Sequence, residues 1–138
     1  DGTEVKGQLE RGNIYLCRIL VVNPKPYFNA VIVDPLPSNV EIVNTAFATE
    51  KQSLAEKTTA GGRGDDDGYW WAYSVPVIEY RDDRVVIFED YLSPGIHEYT
   101  YLIRPVVKGE SFTPAASSKL MYEPEIFGRT GTVKVNVK

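Results

Sequence analysis

The chain has 138 residues and a formal net charge of −4, a length that suits a single domain burying roughly 68–70% of the surface exposed by its unfolded chain. The acidic balance argues against a nucleic-acid partner, whose phosphates require a basic face. No run of ~18 apolar residues is present, so no segment is expected to insert into a bilayer as a helix.

Residues Asp1 to Gly12 are polar apart from Val5 and Leu9 and read as a lead-in or a short edge strand. The opening Asp1-Gly2-Thr3, with neither methionine nor signal peptide, suggests a piece excised from a larger chain. Ile14 to Val22 is nearly continuous in apolar residues, the pattern of a central strand, and Asn23-Pro24-Lys25-Pro26 stops it. Tyr27 to Val33 follows, and the proline-bearing turn between the two predicts antiparallel neighbours. Asp34-Pro35-Leu36-Pro37-Ser38-Asn39 closes that strand, and Val40 to Val43 forms a short third one.

From Asn44 to Lys57 the pattern loosens. A short helix capped near Asn44 or Thr45, with Phe47, Leu54 and Ala55 on one side, is compatible with it. The glycine-rich, acidic stretch Thr58 to Gly68 reads as a loop. Strands then recur at short intervals: Tyr69 to Val75, Val77 to Arg81, Arg84 to Tyr91, Ile96 to Arg104, a short one near Ser111-Phe112, Ser117 to Tyr122, and Thr132 to Val137. Turn residues at Asp82-Asp83, Ser93-Pro94-Gly95 and Lys108-Gly109 separate them. This spacing predicts an all-β fold, a two-sheet antiparallel β-sandwich filling residues 1–138 as one domain.

Within that frame most chemically suggestive residues have a plain structural reading. Arg63-Gly64-Asp65 invites an adhesive role and Asp65-Asp66-Asp67-Gly68 a calcium site, but three-residue matches are common and the ligand spacing of a calcium loop is absent. Trp70 and Trp71 point to opposite faces of a strand, so one is core and the other is either packed outside the sheet or a platform for carbohydrate. Arg81-Asp82-Asp83-Arg84 reads as a hairpin turn stitched by charge, with no nucleophile near its paired carboxylates. His97 has no second histidine to share a zinc ion, and no metal or other cofactor is expected. Cys17, the only cysteine, cannot form an internal disulfide and lies in an apolar strand as a small buried hydrophobe.

Tyr99, Tyr101 and Ile103 share one face of their strand, expected to be core with the hydroxyls reaching backbone partners at its margin. Arg104 falls on the other, outer face. Val133, Val135 and Val137 alternate with Lys134, Asn136 and Lys138 as a half-buried closing strand. Before it, Pro124 interrupts pairing, which places Met121 and Tyr122 at a strand end beside a corner, with one of the two pointing out of the core. Met121 is the only methionine, and a flexible thioether at a rim fills a gap in a neighbouring surface as readily as in its own core.

Five blocks occur in order: Arg81-Asp82-Asp83-Arg84-Val85, Pro94-Gly95, Tyr99-Thr100-Tyr101-Leu102-Ile103-Arg104, Phe112-Thr113-Pro114 and Met121-Tyr122-Glu123-Pro124-Glu125. Together they resemble the C-terminal domain of bacterial alpha-2-macroglobulin-like proteins. The likeness is best from about Ile78 to Val137 and thinner at Asp34 to Glu41, where Asn39 stands in place of an expected glycine, as a residue that tolerates the left-handed region. The resemblance implies a non-catalytic module of a periplasmic or envelope-located protease trap. Its partner would be the thioester domain of the same chain, and target proteases would be met through the full-length protein. Met121, Tyr122 and Glu125 would lie at that interface and shield the thioester. The rival expectation is a free-standing adhesin or glycan-binding sandwich using Trp70 or Trp71.

Overall fold

The computed structural model describes residues 7–43 and 76–138, and the regular structure within them is all strand. In chain order the strands are β1 (Gln8–Leu9), β2 (Tyr15–Asn23), β3 (Tyr27–Pro35), β4 (Val40–Val43), β5 (Val77–Tyr80), β6 (Arg84–Leu92), β7 (Gly95–Pro105), β8 (Gly109–Thr113), β9 (Ser117–Leu120), β10 (Phe127–Arg129) and β11 (Val133–Val137). The helix considered at 44–57, the loop at 58–68 and the strand at 69–75 with Trp70 and Trp71 lie outside the described residues.

The predicted all-β sandwich is what forms. A five-stranded sheet in the order β10-β9-β3-β6-β5 faces a three-stranded sheet β2-β7-β4, and a small sheet β1-β11-β8 extends the same core. Ile32, Val85 and Ile87 from the first meet Tyr99, Tyr101 and Ile103 from the second, with Leu9, Val135 and Val137 from the third. Period-two alternation drives this: on β7 the residues Tyr99, Tyr101 and Ile103 point inward while Arg104 stays outside, paired with Glu41.

Three expectations need correction. β2 is an edge strand among the described residues and not a central one. Its apolar run is not buried on both faces: Tyr15, Cys17, Ile19 and Val21 pack towards the core, while Leu16, Leu20 and Val22 are 52%, 54% and 71% exposed. Nor are β2 and β3 paired. β2 pairs with β7, and β3 lies between β6 and β9 in the opposite sheet. The two prolines of the connection cannot donate to a ladder, and the buried Asn23 ties this crossover down by donating from Nδ2 to the carbonyls of Lys25 at 2.9 Å and Ser93 at 2.7 Å. Finally, the tyrosine hydroxyls do not end on backbone. Tyr99 donates to Glu89 at 2.7 Å and Tyr101 to Asp34 at 2.6 Å, so each phenol on one sheet is tied to a carboxylate on the other.

Smaller departures follow the same logic. β1 and β11 run parallel, the exception in an otherwise antiparallel set of described pairs. Asn39 does not use the left-handed region, since among the described residues Asn29 is the non-glycine residue with positive φ. Its side chain instead donates to the Gly109 carbonyl at 3.0 Å and accepts from Ser111 at 2.6 Å, which stitches the entry of β4 to β8.

Candidate functional site

The corner after β9 is built from two apolar anchors and an exposed arch. Leu120, 6% exposed, closes β9 and packs with Ala30 and Leu92, and Ile126 packs against the same cluster from the far side of the arch. Between them the chain must turn. Glu123-Pro124-Glu125-Ile126 does so, with the Ile126 amide donating to the Glu123 carbonyl at 2.9 Å and proline at the second position, where its fixed φ suits a turn. The Leu120 amide then donates to the Ile126 carbonyl at 3.2 Å and closes the loop.

Because both ends are fixed, the side chains between them project outward. β9 ends at Leu120, two residues earlier than the sequence predicts, so alternation no longer divides Met121 from Tyr122. Both point out: Met121 is 50% exposed and Tyr122 79%. Glu123 and Glu125 are exposed beside them. The Met121 amide donates to the Asn29 carbonyl at 2.8 Å, which moors the corner to β3.

Sequence reasoning missed the other apolar members of this end of the sheet. Phe28 and Phe127 are 63% and 64% exposed. Phe28 lies against Tyr91 with ring centroids 5.1 Å apart and planes tilted by 50°. Phe127 belongs to β10, which is only three residues long and leaves almost no periodic signal. For Phe28 the available signal was Asn29, a residue type that tolerates the left-handed conformation. On the inner side, an open apolar groove of about 280 Å³ runs beneath the corner between β2 and β9–β10, lined by Val21, Tyr27, Ala30, Leu120 and Ile126 among others.

The remaining candidates fall into place as parts of the scaffold. In the β5–β6 turn, Arg84 donates to both Asp83 carboxylate oxygens, at 3.1 and 2.9 Å, and Arg81 pairs with Glu79 at 2.9 Å. The Arg84 hydrogen bonds hold the Asp83 carboxyl below its ordinary value. His97 is half-buried on β7, with Nε2 2.6 Å from the Ser93 carbonyl. Cys17 faces the core beside Tyr101, and burial pushes its thiol up to about 11, so it stays protonated and inert at neutral pH. Among the described residues, no three His, Cys, Asp or Glu side chains gather in a way that could hold a metal ion. Trp70 and Trp71 fall outside those residues.

A model of the family described as Bacterial Alpha-2-macroglobulin MG10 domain matches residues 1–125. An alpha-2-macroglobulin homolog of Nostoc sp. is 31% identical over 130 residues, covering 94% of this chain and 6% of the relative. An alpha-2-macroglobulin of Xylella fastidiosa is 29% identical over 131 residues, covering 92% of this chain and 8% of the relative. The chain therefore spans less than a tenth of either relative. Among solved structures, native Escherichia coli alpha-2-macroglobulin from domain MG7 to the C-terminus superposes with a TM-score of 0.75 at 22% identity, over 100% of this chain and 22% of that one. Salmonella alpha-2-macroglobulin reacted with methylamine superposes with a TM-score of 0.69 at 21% identity, over 94% of this chain and 8% of that one.

Proposed function

The chain belongs to the bacterial alpha-2-macroglobulin MG10 domain family, and on that footing we propose that it is the non-catalytic C-terminal domain of an envelope-located endopeptidase inhibitor. In the resting protein this domain packs against a thioester domain of the same parent chain. Met121 and Tyr122 cover the reactive bond, with Glu125 at the polar rim of the contact. Cleavage of a bait region elsewhere by a target protease displaces the domain and uncovers the thioester.

The observation that carries this reading is the braced corner, on which a half-exposed methionine and a largely exposed tyrosine stand between the buried Leu120 and the partly buried Ile126. An acyl thioester is lost to any water or amine that reaches it, so its cover must be well fitted, must exclude both and must bring no amine or thiol of its own. A thioether fits that need: it is polarisable, adaptable and carries no O–H or N–H. Fixing the backbone at Asn29 and Ile126 also matters, because a cover held in place loses less conformational entropy when it docks.

The test is Met121→Ala in the full-length parent protein. Faster inactivation by methylamine, or faster autolysis at the thioester, is expected, by roughly tenfold if the truncation removes about 1.4 kcal/mol of cover. A rate equal to that of the unsubstituted protein removes the shielding role. Methylamine is the natural probe because the Salmonella protein that shares this fold was solved after reaction with it.

A further inference from the structure

We propose that Phe28, backed by Tyr91, belongs to the same docking face as Met121 and Tyr122 and is seated against a neighbouring domain of the parent chain. This rests on the reading of the corner as an interface and extends that interface across the sheet onto β3 and β6.

Phe28 is out of place on its own strand. Ala30 and Ile32 are each 1% exposed and face the core, so strict alternation would send Phe28 inward with them. It points outward because Asn29 adopts φ 54°. The ladder between β3 and β6 skips the Asn29–Asp90 position and resumes in the same register at Phe28–Tyr91 and Tyr27–Leu92. After this kink the faces are exchanged. Leu92, 2% exposed, and the partly buried Tyr27 take the inner positions, while Phe28 is left 63% exposed.

Asparagine tolerates the left-handed region better than most residues, which is what lets the chain kink at this point. Here the kink brings Leu92 and Tyr27 inward and leaves the Phe28 ring on the surface, 63% exposed, with Tyr91 as its aromatic neighbour. A partner that covers the ring removes this apolar surface from water, which favours docking. The tilted contact with Tyr91 holds the ring ready for such a contact.

The same residue links Phe28 to the corner. Asn29 turns Phe28 outward and offers its carbonyl to the Met121 amide at 2.8 Å. Phe28, Met121, Tyr122 and Phe127 are each at least half exposed, at 63%, 50%, 79% and 64%. The occupant is the thioester domain of the same parent, the one that meets Met121 and Tyr122 in the reading above. This chain covers 22% of the E. coli structure that runs from MG7 to the C-terminus and 6% of the Nostoc relative, so most of a parent of that size lies outside it.

Hydroxyl-radical footprinting of the full-length resting protein tests this. Each side chain is normalised to its own labelling in the unfolded chain, and Phe112, 66% exposed on β8, serves as the reference. Phe28 is expected to label several-fold less than Phe112. If Phe28 labels as freely as Phe112 while Met121 and Tyr122 are protected, the inference is overturned and the corner remains an interface. If Phe28, Met121 and Tyr122 all label freely, both readings fall. If Phe28 is protected and Met121 is free, the two do not share a face, and both the inference and the shielding role of the methionine fall.

Discussion

Tyr101 shows how much the interior depends on one phenol, which donates to the Asp34 carboxylate and lies against the Cys17 thiol. Burial raises the Asp34 pKa above its ordinary 3.8, and the Tyr101 hydrogen bond only partly opposes this. The native state therefore holds that proton more tightly than the unfolded chain does. The Asp34 contribution to stability is present at low pH and is lost as pH rises through the native value. Asp34→Asn should flatten this dependence, seen as a smaller change in urea midpoint between about pH 4 and about pH 7. Tyr101→Phe should cost about 1–3 kcal/mol near neutral pH, because it leaves a buried carboxylate without its donor. That cost should shrink where Asp34 is protonated. Alternation alone made the inward tyrosine face legible, but not its partners: Asp34 and Glu89 become neighbours of the phenols only once two sheets are stacked. Gly7 is a second residue with little freedom. It has φ 71°, and a Cβ there would lie 2.7 Å from the Lys134 carbonyl oxygen. Gly7→Ala should destabilise the domain by roughly 2 kcal/mol, read as a lower denaturation midpoint.

Among elements, the β3–β6 pair is the instructive one. Its kink at Asn29 decides which residues are core, so side chains at that position should report on backbone strain. Asn29→Gly should leave stability unchanged or raise it slightly, because glycine enters the left-handed region freely. Asn29→Val should lower it by about 1–2 kcal/mol, since a β-branched side chain resists positive φ. Equal urea midpoints for the two variants would contradict this account of the kink. The same pair marks the boundary of what a one-dimensional pattern can reveal. Hydrophobic periodicity located β6, β7 and β11 to within a residue or two, because each is long or strictly alternating. It could not place β2, whose outer Leu16, Leu20 and Val22 read as core though they face outward. Nor could it foresee that Asn23, Pro24 and Pro26 carry the chain across to the other sheet.

At the scale of the whole molecule, the corner at Met121 was legible because Pro124 must end a strand and a lone methionine stands just before it. The exposure of Phe28 and Phe127 was not, since they lie on β3 and β10, elements far apart in sequence. The parallel pairing of β1 with β11 has a mechanical meaning for such a body. The Asn136 amide donates to the Gly7 carbonyl at 2.8 Å, Lys138 to Leu9 at 2.9 Å, and Arg11 to Lys138 at 3.2 Å. Tension applied ahead of Gly7 and at Lys138 drags these two strands past one another in shear, so the bonds bear the load together and are not peeled one by one. A load placed across the first and last described strands therefore meets all three bonds at once, and the sheet yields by rupture of the set rather than by unzipping.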